Sequence, residues 1–141
     1  MAHVCNDIGR WGKGFVLAIS QRWPTPEAAY RAWNGAPRAA RWPLGAVQLM
    51  PVAETLWVAN MIGQHGIRPA ADGTPPVRYE AIDIALAALH DQALLLRASV
   101  HMPRIGAALP GGAWDRIEPL IRANLAYRGV PVTVYDLVSG R

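Results

Sequence analysis

A single cysteine, no signal-peptide pattern and no apolar run long enough to span a bilayer narrow this 141-residue chain before any motif is read. Cys5 has no partner for an internal disulfide, which fits a reducing compartment. With no spanning run and no leader pattern, the chain reads as cytoplasmic, with no membrane partner. Charge is sparse as well. Charged residues make up 17% and hydrophobic ones 52%, too apolar a balance for disorder and enough for one domain over residues 1–141 with a real core. The net charge of +4 suits a basic soluble surface or attraction to a phosphorylated ligand. Its basic residues are scattered, and no Lys/Arg run argues for a nucleic-acid groove.

The common chemical signatures are missing too. There is no G-x-x-x-x-G-K-[ST], which excludes a P-loop nucleotidase. Gly9, Gly12 and Gly14 do not make G-x-G-x-x-G, so the dinucleotide fingerprint is absent, and no serine sits in G-x-S-x-G. His3, His65, His90 and His101 show no metal-ligand spacing, and neither a metal nor a cofactor is expected. Each reads as a structural or surface histidine, with His65 set apart by its place in a long loop.

What is present is a pair of glycine-rich turns, each between a strand-like run and a helix. The first is Asn6-Asp7-Ile8-Gly9-Arg10-Trp11-Gly12-Lys13-Gly14-Phe15, after the apolar run Ala2–Cys5 and before the helix predicted over Phe15–Arg22. The second is Gly106-Ala107-Ala108-Leu109-Pro110-Gly111-Gly112, after the strand predicted over Ser99–Ile105 and before a helix over Trp114–Tyr127. Unpaired amides at such a turn, added to the helix dipole, make a ready anion site. Two of them in one small domain suggest a ligand with more than one phosphate.

Between the turns, Pro26–Trp33 reads as a helix with Pro26 in its first turn, and Asn34–Pro43 as a loop. Ala46–Val52 and Leu56–Ile62 are apolar runs of strand length. Gly63–Pro76 holds three Pro and three Gly and reads as a long loop of the kind that is often functional. Tyr79, Ile82, Leu86, Leu89, Ala93 and Leu96 recur at spacings of 3 and 4, predicting a helix over Tyr79–Leu96 with Glu80, Asp83, His90 and Asp91 off its apolar stripe. Asp115 and Glu118 have capping-box spacing. Val130–Leu137 reads as the last strand. Alternating strands and helices predict a three-layer α/β/α sandwich on a mixed sheet, with both glycine turns at the carboxyl ends of strands, where such folds bind ligands.

Ala2-His3-Val4-Cys5-Asn6-Asp7, Trp11-Gly12-Lys13-Gly14-Phe15 and Met102-Pro103-Arg104-Ile105-Gly106 with Trp114 downstream resemble a macro domain. The branch they look most like holds the terminal ADP-ribose protein glycohydrolase, an O-acyl-ADP-ribose deacylase. The resemblance extends to Pro131–Leu137 and so covers nearly the whole chain. It implies ADP-ribose or ADP-ribosylated protein as partner. Asn6 would lie beneath the proximal ribose, next to Asp7. Gly12, Lys13, Gly14 and Phe15 would form one phosphate loop. Ile105, Gly106, Ala107, Ala108 and Leu109 would form the other.

Three departures qualify the resemblance. The chain starts at what looks like the family's second strand, so the first edge strand, with its adenine-recognising Gly-Asp, is expected to be lacking. The branch's lysine nucleophile is replaced by Gln64 or His65. Its aspartate after the second turn falls at about Pro110, with Asp115 the nearest carboxylate; Ala108 stands where glycine is common. The lysine–aspartate mechanism does not transfer. Three readings stay open: a hydrolase of ADP-ribosyl linkages or O-acyl-ADP-ribose that uses Asn6, Gln64 and His65, with His65 as general base; a non-catalytic ADP-ribose reader; and a degenerate fragment. The oligomeric state and the linkage cleaved are not legible.

Overall fold

A computed structural model describes residues 1–107 and 110–136. They run β1 (Ala2–Asn6), α1 (Phe15–Arg22), α2 (Thr25–Gly35), β2 (Val47–Ala53), β3 (Leu56–Gln64), α3 (Tyr79–Leu96), β4 (Val100–Pro103), α4 (Trp114–Asn124) and β5 (Val132–Tyr135). Short 3-10 turns lie at Arg38–Ala40 and Ala126–Arg128.

Alternation along the central strands sorts the helices into layers. Cys5 of β1 and Val58 and Ile62 of β3 join Trp11, Ile19, Tyr30 and Trp33, on the side of α1 and α2. Ala2, Ala59 and Met61 point the other way, into a core with Ile82, Leu86 and Leu89 of α3 and Ile117 and Ile121 of α4. The result is a helix–sheet–helix sandwich. Because β3 is covered on both faces, it is apolar at most positions, broken at Asn60, whose buried side chain bonds His3, the Pro26 carbonyl and Gln48. It pairs parallel with β1, Ala2 opposite Ala59 and Asn6 opposite Gln64, and antiparallel with β2. Strands β4 and β5 form a parallel ladder from Val100/Val132 to Pro103/Tyr135. Strands β1 and β4 lie within 8 Å Cα to Cα but share no ladder. Among the described residues β5 pairs with β4 alone.

Helices α1 and α3 occupy the predicted spans, whereas several boundaries move for identifiable reasons. Gly63 and Gln64 belong to β3 rather than to the following loop, because Gln64 pairs with Asn6 on one side and bridges Val77 on the other. The Asp115–Glu118 capping box does not form. Helix α4 starts at Trp114, and the Ala113 N–H before it donates to the Tyr79 hydroxyl at 3.0 Å. Glu118 pairs with Arg122 instead, at 2.8 Å. Helix α4 ends at Asn124, short of Tyr127, and Ala126–Arg128 tighten into a 3-10 turn. That turn reaches α3: His90, expected off the apolar stripe, is buried with Nε2 3.1 Å from the Arg128 carbonyl. The predicted strand Ser99–Ile105 shortens to Val100–Pro103, and the last one to Val132–Tyr135, with Leu137 outside the described residues. No helix among the described residues is long and apolar enough to cross a membrane.

Candidate functional site

The first glycine turn, residues 7–14, is closed from below by Asn6. Its Oδ1 accepts the N–H of Ile8 (3.1 Å) and of Arg10 (3.0 Å), and its Nδ2 donates to the Arg10 carbonyl (2.8 Å). The Tyr30 hydroxyl, fully buried, reaches the Asn6 carbonyl at 2.5 Å and Oδ1 at 2.7 Å. These bonds curl residues 7–10 into a tight Asx-type ring. Only glycine fits at position 9, where φ is +78° and a Cβ would lie 2.3 Å from the Asn34 side chain. The buried Trp11 indole sits edge-on to His3 and donates to Ser20 Oγ (2.7 Å). Ser20 donates to Glu27 (2.8 Å), which accepts from Arg31 (2.9 Å), and Arg31 reaches back to the Trp11 carbonyl (3.3 Å). A closed circuit thus fixes the turn to α1 and α2.

Past Trp11 the chain emerges into solvent. Gly12, Lys13, Gly14 and Phe15 are all exposed, and Lys13 is the only lysine in the chain. Gly14 precedes α1 at φ 80° and ψ −145°, a region open only to glycine. No side chain caps α1 and no acid lies in its first turn. The N–H groups of Gly12, Lys13 and Gly14 donate to no backbone carbonyl of the described residues. Amides without a backbone partner among the described residues, an uncapped helix start and one ammonium group leave this turn more open to an anion than the second.

The second turn is held differently. Ile105 is buried, and Gly106 has φ +70° with Ile82 and Ile117 3.1 Å from where a Cβ would be. The Gly112 N–H donates to the Gly106 carbonyl at 2.8 Å, so the turn closes on itself against α3 and α4. Ala107 is half-buried, whereas Ala108 and Leu109 lie outside the described residues. The turn also touches residues 65–78. Val77 donates to the Pro110 carbonyl (3.0 Å), and Gly111 packs on Pro75. Val77 bridges Gln64 at the end of β3, and Gln64 lies opposite Asn6 at the end of β1. Contacts therefore run unbroken along one rim, from the first turn through Gln64 and Val77 to the second.

Asp7 ties residues 65 and 66 to that rim. Its N–H donates to the Gln64 carbonyl (3.1 Å), its Oδ1 accepts the Gly66 N–H (2.8 Å), and its Oδ2 lies 2.7 Å from His65 Nδ1. The His65 side chain is 63% exposed and the Asp7 carboxylate 19%. In the neutral tautomer that turns Nδ1–H to Asp7, Nε2 is an acceptor with no partner among the described residues, a geometry suited to a general base. Beside it opens a cavity of about 460 Å³, lined by Ile8, Arg10, His65, Ile67, Arg68 and Arg78 among others. A larger hollow of about 540 Å³ lies at the opposite, amino end of the strands, around Ala2, Trp57 and Val100, away from both turns.

Of the residues singled out in the sequence, the fold brings Asn6, Asp7, Gln64 and His65 together and sets Gly12–Phe15 beside them. Two carboxamides have other work than contact with a sugar. That of Asn6 shapes the first turn, and Gln64 Nε2 donates to the Gly66 carbonyl (2.9 Å) with the side chain buried. Asp115 sits exposed in the first turn of α4. Three contributors had no legible signal: Tyr30, Val77 and Arg78. Each acts through a tertiary contact that leaves no local pattern. Burial also silences two groups beneath the first turn, holding the His3 imidazole down at about 4 and pushing the Cys5 thiol far above its usual range.

No family model matches the chain. Among solved structures, a macrodomain protein from Streptomyces coelicolor is 61% identical, covered over 97% of this chain and 86% of that one, with a TM-score of 0.84. A protein of unknown function from Bacteroides thetaiotaomicron is 50% identical, over 96% and 85% of the two chains, with a TM-score of 0.92. Thermosipho africanus DarTG, solved in complex with ADP-ribose, shares the fold at 17% identity and a TM-score of 0.77, over 99% of this chain and 38% of that one. Mouse chromodomain-helicase-DNA-binding protein 1-like is 32% identical over 143 residues; the match takes in 96% of this chain but 15% of that much longer protein. With a sandwich of this architecture and 61% identity across most of both chains, the protein belongs to the macrodomain family.

Proposed function

We propose that this chain binds ADP-ribose along the carboxyl rim of its sheet. The observation that carries the reading is the continuity of that rim, with two glycine turns meeting around Gln64 and Val77 and, at one end, amides of Gly12, Lys13 and Gly14 that no carbonyl of the described residues accepts. A diphosphate would accept from these amides and from the second turn, where Ile105, Gly106 and Ala107 contribute, with Ala108 and Leu109 as further candidates. Phe15, 36% exposed at the start of α1, offers an apolar wall to a sugar. DarTG, which shares this fold over 38% of its length and was solved in complex with ADP-ribose, supports this ligand. Calorimetry with ADP-ribose tests it. Gly14→Glu puts a carboxylate into the anion site at a backbone angle it tolerates poorly, and is expected to weaken binding by about 100-fold or more. Retained affinity would remove the first turn from the site.

One observation favours a second reading, hydrolysis of the ADP-ribosyl linkage of a modified side chain or of O-acyl-ADP-ribose. Asp7 orients His65 at 2.7 Å and leaves Nε2 free to take a proton from an attacking water. In this reading His65 is the general base. Asp7 positions it, and Asn6 and Gln64 hold the backbone on which both stand. Lys13, in the first turn, leaves no lysine at residues 64–66 for covalent chemistry. Incubation with protein ADP-ribosylated through glutamate separates the readings. Label that persists although ADP-ribose binds makes the chain a reader.

A further inference from the structure

We propose that the cavity beside His65 receives an acidic stretch of the polypeptide that carries the ADP-ribose, so that carboxylates near the modified side chain select the partner. The inference rests on the ADP-ribose reading and extends it outward from the rim. Three arginines, Arg10, Arg68 and Arg78, line the cavity, and no Asp or Glu of the described residues does, the Asp7 carboxylate being turned to His65 and Gly66. The arginines that form ion pairs among the described residues are others: Arg31, Arg104 and Arg122. Arg78 is fixed in place, its Nη1 donating to the carbonyls of Pro75 (2.6 Å), Pro76 (3.1 Å) and Val77 (3.1 Å). It is a preorganised cation that needs little further ordering to meet an anion.

The apolar part of the lining argues for polypeptide over nucleic acid. Ile8 and Ile67, 43% and 45% exposed, offer methyl surface to side-chain methylenes. No Phe, Tyr or Trp of the described residues lines the cavity, and its one ring, the His65 imidazole, is already bonded to Asp7. Position completes the argument. Arg10 and Ile8 belong to the same turn as Gly12 and Gly14, and His65 is bonded to Asp7 of that turn. The cavity therefore adjoins the proposed diphosphate site, in reach of a chain leaving it. Guanidinium groups pair well with carboxylates, and a surface pair of this kind acts more on choice of partner than on total affinity.

Binding of three fluorescent probes by the intact chain tests this: a peptide ADP-ribosylated on one side chain and flanked by glutamates, the same peptide flanked by glutamines, and the unmodified glutamate peptide. Free ADP-ribose and linked ADP-ribose units are measured alongside. The acidic modified peptide is expected to bind roughly tenfold tighter than the neutral one at low salt, the margin shrinking as salt rises. Arg68→Glu, on an exposed loop residue outside the two glycine turns, is expected to erase that margin and leave free ADP-ribose affinity unchanged. Equal binding of the two modified peptides overturns the proposal. So does an Arg68-dependent preference confined to linked ADP-ribose units, which would assign the cavity to phosphate. If free ADP-ribose does not bind, the unmodified acidic peptide decides. Weak binding lost in Arg68→Glu upholds the cavity while the ADP-ribose reading falls, and no binding ends both.

Discussion

Burial keeps the His3 imidazole neutral down to a pH of about 4, against an ordinary value of 6.5, even though its bond to Asn60 at 2.5 Å opposes the shift. The sign of the stability effect follows. Between those values the unfolded chain takes up a proton that the folded one refuses, so stability is intact above about 6.5 and drains away as pH falls toward about 4. The full drop attributable to this residue is about 3 kcal/mol. His3→Gln, which keeps a hydrogen-bonding partner for Asn60 without the titration, is expected to lose less stability between about pH 7 and about pH 4.5. Urea midpoints at the two values measure it, and equal losses in both proteins would contradict the assignment. The residue-level signal here was legible only as an isolated histidine. What made it a buried neutral one is the packing of Trp11 and the depth of β1.

The segment from β1 through α2 works as a unit. Asn6 needs Tyr30, twenty-four residues away, to complete its bonding, and Trp11 needs Ser20, Glu27 and Arg31. Burial pushes the Tyr30 phenol well above its usual range, so it remains a donor at all working pH values. Tyr30→Phe removes that donor and leaves buried oxygens short of a partner, at a cost of about 1–3 kcal/mol. Reduced ADP-ribose affinity is expected alongside the lower denaturant midpoint, because the turn that carries Gly12 and Gly14 loses its support. A stability loss with affinity intact would show that the turn holds its shape without α2. Elements with a regular pattern were the readable ones: the span of α3 followed from apolar spacing. The missed capping box shows the limit. Asp115 and Glu118 have the right spacing, but α4 starts at Trp114, which puts Asp115 inside the first turn rather than at the cap.

At the scale of the whole molecule, the two glycine turns belong to different ladders, one ending in β1 and the other in β4, and no hydrogen bonds join those strands. A diphosphate gripped by both turns would join the ladders at their rim. Saturation at about 100 times Kd is expected to stabilise the fold by about 2.7 kcal/mol, enough to raise Tm by roughly 5–10 °C. Gly14→Glu should fold and show no such rise, and an equal rise in that variant would place the ligand elsewhere. The sequence by itself determined the layered α/β class and the two turns, because strand and helix periods and glycine's freedom at positive φ are local properties that no distant contact has to supply. Tertiary structure decided that the turns share a rim, that Asp7 faces His65 and that three arginines gather around one cavity. Those juxtapositions depend on strand order and on the path of residues 65–78, and neither is encoded in the spacing of any single segment.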